Sequence, residues 1–178
     1  MGMKKHNGMR PQDVVILLKI IALDNKKVGW FAKDLAKELH ISPSEVSESL
    51  RRCVESNLID FNKRRVNRQN LLEFIQFGLK YVFPANVGMD ARGIPTAHSH
   101  SFMKEFENGS GYVWPEISGI VRGASVDPLY PNMVKAVKED EILYKLLALV
   151  EVIRVGRVRE VAVAKDELKK MILNGSSI

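Results

Sequence analysis

The sequence predicts a mainly α-helical fold with a small β-wing. It divides into a winged helix-turn-helix domain over residues 1–82, a Pro/Gly-rich ordered connector over 83–131 and C-terminal helices over 132–178. Three observations carry this reading. Apolar residues recur at helical spacing in two short blocks, Phe31, Leu35, Leu39 and then Val46, Leu50, Val54, Leu58, so each block buries one stripe. Next comes Leu58-Ile59-Asp60-Phe61-Asn62-Lys63-Arg64-Arg65-Val66, two strand-like apolar ends around a basic turn. Beyond it the punctuation changes. Five of the seven prolines and six of the twelve glycines lie between Pro84 and Pro131, which argues against regular structure there.

Taken in order, Met1 to Arg10 is a short polar tail, and Pro11 opens a helix through Asp24. Proline suits the first helical position. Val14, Val15, Leu17, Leu18, Ile21 and Ala22 span an arc wider than a small domain needs, so this helix is expected to meet a further part of the protein or a second subunit. Lys27-Val28-Gly29-Trp30 is expected as a short strand. In the helix pair that follows, Ala36 lies at the closest approach, and its small side chain permits a steep crossing. His40 holds a turn position usually given to glycine, which demands a left-handed or bridge conformation that histidine tolerates. Ser42 as N-cap, Pro43 at the first helical position and Glu45 placed to reach back as a capping box form a full helix-start signal.

After the wing, Asn67 is expected to cap a helix through Val82 that is apolar nearly all round and buried on both sides. The connector is expected to be irregular apart from a short hairpin around Val113 to Val126. Its interleaved Phe83, Phe102, Phe106, Tyr112, Trp114 and Tyr130 mark it as ordered and packed. Met133 to Leu173 reads as helical. Leu143, Leu146, Leu147, Val150 and Ile153 form one stripe, Gly156 a break, and Val158, Val161, Ala162, Leu168 and Ile172 its continuation. A stripe this long asks for a partner helix, either on the chain's own first domain or, the favoured reading, across a dimer. Arg154, Arg157 and Arg159 read as solvated or interface charges.

Charge points to a partner. Residues 1–82 hold fifteen Lys and Arg against nine Asp and Glu, whereas 83–178 hold twelve of each, so the net charge of +6 lies wholly in the first part. Cations clustered this way suit a polyanion, because counterion release rewards them where they face a duplex. The expected DNA contacts are Ser44, Ser47, Glu48 and Arg51 in the major groove, with Arg52, Lys63, Arg64, Arg65 and Arg68 on phosphates. Glu48 either accepts from a cytosine amino group or, the better reading, orients Arg51 or Arg52. Glu45 is expected to be occupied by the cap. Lys19, Lys26, Lys27, Lys33 and Lys37 divide evenly between phosphate contacts and solvated helix faces.

Composition bounds the rest. At 178 residues and 46% hydrophobic content the chain can bury a packed core. The lone Cys53 forms no internal disulfide and reads as a small buried hydrophobe. No apolar run is long enough to span a membrane and the N-terminus lacks a signal peptide's apolar core, so a cytoplasmic setting is expected. His98-Ser99-His100, even with Asp90, is too sparse for a metal site. No metal and no cofactor are expected. Without a Gly-rich phosphate loop, nucleophile elbow or paired carboxylates, no enzyme is expected either. Arg92-Gly93 and Arg122-Gly123 either line a pocket for an anion or pin loop carbonyls.

Five segments carry a family resemblance: Lys80-Tyr81-Val82-Phe83-Pro84-Ala85, Arg92-Gly93-Ile94-Pro95-Thr96, Val113-Trp114-Pro115, Val121-Arg122-Gly123 and Pro128-Leu129-Tyr130-Pro131. With the helix-turn-helix they resemble a set of MarR-like winged helix-turn-helix transcriptional regulators, over about residues 10 to 172. The resemblance implies a DNA-binding fold and a dimer, with no residue-level site. The proline-rich connector departs from the better-known MarR proteins, which argues against a simple drug-binding regulator. The leading expectation is a homodimeric, sequence-specific regulator of transcription, a repressor, acting on double-stranded DNA. A protein–protein adaptor or antitoxin-like partner using the winged fold as scaffold comes second. A small-molecule or metal sensor centred on the connector comes third.

Overall fold

The computed structural model describes residues 8–106 and 111–174; the expected polar tail lies outside the described residues as far as residue 7. Helix α1 (Pro11–Asn25) is buried at every position from Asp13 to Leu23. Its wide apolar arc is explained by what covers it: α2 (Ala32–Leu39) and α3 (Pro43–Glu55) on one side, and on another α7 (Glu141–Val155), from the far end of the chain. The expected strand at Lys27-Val28-Gly29-Trp30 does not form. Lys27 instead takes a left-handed turn (φ 57°) at the end of α1.

Residues 68–82 form one continuous helical stretch made of α4 (Arg68–Glu73), a π-helical turn over Phe74–Gly78 and α5 (Leu79–Val82). Asn67 does not cap it with its side chain. Its amide donates to the Asn57 carbonyl at 2.9 Å instead, tying the helix start to the end of α3. Leu71, Leu72, Ile75 and Leu79 are buried, but Phe77 is 66% exposed and Tyr81 74%. The expected burial on both sides is therefore corrected to burial on one.

The connector is not irregular. It folds as β1 (Val87–Thr96), β2 (Tyr112–Pro115) and β3 (Val121–Val126), with 3-10 turns after β1. β1 pairs antiparallel with both other strands and curls so far that β2 and β3 also meet, in parallel at Tyr112–Ala124 and Val113–Ser125, closing a three-stranded barrel. The hairpin expected around Val113 to Val126 is thus replaced by two strands laid side by side along β1. Gly93 permits the closure, since a side chain there would collide with the Trp114 carbonyl. Pro95 and Pro115 sit within the strands at paired positions, which proline tolerates where no ladder N–H is required.

The C-terminal region breaks twice rather than once, giving α6 (Met133–Val137), α7 and α8 (Val158–Leu173). The unforeseen first break is set by Asp140, whose carboxylate caps α7 by accepting from the Ile142 and Leu143 amides at 3.2 Å. All residues of α7 from Leu146 to Ile153 are buried within this chain, so α7 has no apolar face left for a second subunit. The α7 part of the expected partner-helix stripe is therefore covered from within the chain, by α1 and α8 among others. Arg154 is also folded inward, bonded to Glu151 at 2.8 Å and to the Phe83 and Pro84 carbonyls at 3.0 and 3.1 Å. The architecture is mainly helical with one small sheet, and a single apolar core runs through it from α1 to α8. Among the described residues, no helix is long and apolar enough to cross a membrane.

Candidate nucleic-acid interface

The link between α2 and α3 follows the sequence closely. His40 ends α2 in the left-handed conformation (φ 53°, ψ 44°), and Ser42 Oγ accepts the Glu45 amide at 3.2 Å. Glu45, however, does not reach back to the cap. Its carboxylate accepts from Gln12 at 2.6 Å, Arg52 at 2.8 Å and Arg10 at 3.3 Å. The capping box is thus only half formed, because Arg10 just before α1, Gln12 on α1 and Arg52 on α3 outcompete one backbone amide.

On the outer face of α3, Ser44, Ser47 and Glu48 are exposed. Arg51 lies beside them, held by Glu48 at 3.0 Å and by Glu55 one turn further on. Two carboxylates against one guanidinium leave this face without positive charge of its own. Arg52 is a correction: its side chain is only 2% exposed, so it does not reach a phosphate. It makes a two-pronged bond to the fully buried Asp13, at 2.9 and 2.7 Å, and a third to Glu45. Asp13 also accepts from Ser49 Oγ at 2.6 Å. This network fastens α3 to α1, and the hydrogen bonds that Arg52 donates to Asp13 raise the Arg52 pKa above its ordinary value. Cys53 beside it is buried, and burial pushes its thiol up to about 12. That is far from a reactive thiolate.

The basic turn is a tight hairpin closed by a single bridge, Ile59 to Val66. Asp60 organises it. One of its carboxylate oxygens accepts the Arg64 and Arg65 amides at 2.6 and 2.9 Å, while its carbonyl accepts the Lys63 amide. Those amides, Arg65 first, hold its carboxyl below the usual carboxylate range. Lys63 takes a left-handed φ of 57°. Lys63, Arg64 and Arg65 are all exposed. Arg64 lies over the Trp30 ring at 5.4 Å and the Phe31 ring at 5.9 Å, and donates to the Trp30 carbonyl at 3.1 Å. Between hairpin and the turn after α1 runs a groove of about 580 Å³ that includes Asp24, Lys27, Arg64, Arg65 and Arg68 in its lining. Arg68 is a second correction. It is committed to the Ile172 carbonyl at 2.6 Å and to Asp24 at 3.3 Å, so it braces the groove floor.

Three residues of this surface were not singled out by sequence, Trp30, Asp60 and Phe61, the last 87% exposed on the hairpin, and a fourth is a correction: Phe31, expected in the buried stripe of the first helix, is the residue before α2 and is 61% exposed. The available signal was an acid at the mouth of a basic turn and aromatics within reach of it. The other candidates lie elsewhere. Arg92 and Arg122 are neighbours across β1 and β3, exposed, with Arg122 bonded to Asp90 at 2.7 Å. Among the described residues neither donates to a carbonyl. His100 is buried, which lowers its pKa, with Lys145 adding to the effect. Among the described residues there is no group of three metal-binding side chains. Comparison of the chain with protein-family models, with curated proteins and with solved structures finds no match.

Proposed function

We propose that this chain is a MarR-like winged-helix regulator of transcription that binds double-stranded DNA as a homodimer and acts as a repressor. One observation carries the reading: three exposed cations, Lys63, Arg64 and Arg65, are presented on a hairpin pinned by Asp60, next to a helix pair with a left-handed turn and a capped second helix. On this reading the hairpin is the wing and neutralises phosphates. Ser44 and Ser47 on α3 supply groove contacts, with Glu48 and Arg51 held against each other until a base or phosphate competes.

The test is binding of the full chain to duplex DNA from its own upstream region across a salt series. The expected result is steep weakening with salt, and a slope of log K against log salt shallower by about 2 to 3 in the Lys63→Ala, Arg64→Ala, Arg65→Ala triple variant. Unchanged affinity and slope would remove the wing assignment. The adaptor reading is favoured by a different feature: Ile117 at 99% and Ile120 at 95% exposure on the loop joining β2 to β3. A second protein co-purifying through that loop, with no DNA retained, would put this reading first.

A further inference from the structure

The tip of the basic hairpin carries an aromatic ring that the fold leaves in solvent. The Lys63 amide donates to the Asp60 carbonyl at 2.9 Å, so Phe61 and Asn62 hold the two central positions of a β-turn. Phe61 is 87% exposed there and lies outside the apolar core, and Asn62 beside it is exposed as well. The other aromatics of this surface are engaged: Arg64 lies over Trp30 and Phe31, and Lys33 over Phe31 at 5.8 Å. The turn that holds Phe61 out is firmly anchored. Asp60 accepts two amides from its returning arm, and the Arg64 bond to the Trp30 carbonyl fastens that arm to the segment leading into α2. The exposed cations Lys63 and Arg65 follow the ring in the same hairpin. A lipid surface would accept the ring and the cations but would take the Asn62 amide out of water without a partner. A duplex groove offers acceptors to that amide, phosphates to the cations and base steps to the ring.

The outer face of α3 makes the same demand from another side. Base edges are most often read by arginine on guanine, yet Arg51 is held between Glu48 and Glu55, and its exposed neighbours Ser44 and Ser47 are neutral. A face so short of free donors separates sequences weakly by base contact, which leaves the energy of deforming the duplex as the larger source of selectivity. We infer that Phe61 is a wedge: its ring enters the minor groove and inserts between neighbouring base pairs, unstacking them and kinking the duplex, so that the protein selects flexible pyrimidine–purine steps such as TA. Asn62 donates to acceptors on the groove floor, and Lys63 and Arg65 hold phosphates. Asp60 and Arg64 are positioning residues, since a wedge that yields cannot unstack a step. This role rests on the DNA reading and adds to it the deformation on which selection depends.

The test uses the full chain and two short duplexes of equal length and composition, one with a central TA step and one with a central AT step. In each, 2-aminopurine replaces the central adenine and brightens when it is unstacked. The parent protein is expected to raise the fluorescence of the TA duplex about threefold and to bind it about fivefold more tightly than the AT duplex. Phe61→Ala, altered at one exposed side chain, should bind the two duplexes equally and without brightening, yet keep the parent's slope of log K against log salt, because the cations are untouched. Phe61→Leu, which retains an apolar wedge, should retain part of the brightening. Salt-dependent binding by the parent with equal affinity for both duplexes and no brightening would overturn the wedge and leave the DNA reading standing, whereas binding to neither duplex at low salt would remove both. Brightening that persists in Phe61→Ala would assign the unstacking to another group and overturn the wedge as well. Binding to phosphatidylserine vesicles that is lost in Phe61→Ala, with DNA affinity and brightening unmoved, would give the tip to a lipid surface instead.

Discussion

Arg51 and Arg52 are chemically identical neighbours with opposite fates. A helix turns by 100° per residue, so one guanidinium stands at the surface between Glu48 and Glu55 while the next is driven into the contact with α1. The sequence held a signal for this in Asp13, an acid within the first turn of a largely apolar helix. A carboxylate buried there has to be paired, and Arg52 is the cation that α3 brings to it. Truncating one partner of a buried ion pair strands the other. Arg52→Ala is therefore expected to cost about 3–5 kcal/mol of stability, seen as a lower urea midpoint at unchanged slope. A midpoint equal to that of the parent would return Arg52 to the surface and to the list of phosphate contacts.

Among the elements, the hairpin shows how little β-structure is needed to fix a basic turn when one side chain accepts two of its amides. Asp60→Ala should speed hydrogen exchange at the Arg64 and Arg65 amides roughly five-fold, the equivalent of about 1 kcal/mol per lost bond. Its titration gives the same test by another route. The carboxyl pKa is lowered in the fold, so protection is complete above the ordinary carboxylate range and disappears only as pH falls through the lowered value. Exchange indifferent to both changes would mean that the bridge from Ile59 to Val66 alone holds the turn. Elements like this one, with local causes, were legible: the turn at His40, the cap at Ser42 and the bounds of α1 all follow from neighbouring residues. The barrel was not. Its closure depends on contacts between segments far apart in sequence, such as Gly93 with Trp114, and its prolines mimic the punctuation of a loop. Even Phe77, 66% exposed, has a nonlocal neighbour that its own segment does not reveal, the Lys165 ammonium of α8 at 4.8 Å from its ring centre.

At the scale of the whole molecule, the boundary that charge draws near residue 82 is not a boundary in the core. Net charge reports on what the surface meets, whereas the core is decided by what α1 needs covered, and α2 and α3 leave part of it to α7. Polar ties follow the same path. Lys19 on α1 joins Asp140 at 2.7 Å and Glu38 at 2.6 Å, Lys26 joins Asp140 at 2.9 Å, and Tyr130 donates to the Leu39 carbonyl at 2.6 Å. A fragment of residues 1–82 would keep the whole basic surface yet expose apolar side chains of α1 and leave Lys19 without Asp140. It is expected to lack a cooperative thermal transition, whereas the full chain unfolds in one step with near- and far-ultraviolet circular dichroism coinciding. A sharp transition in the fragment, with native helix content, would show that its first 82 residues fold independently. The contacts with α7 would then have to be read as docking between finished units, and a ligand or partner acting on the C-terminal half would have to shift a joint rather than a shared core.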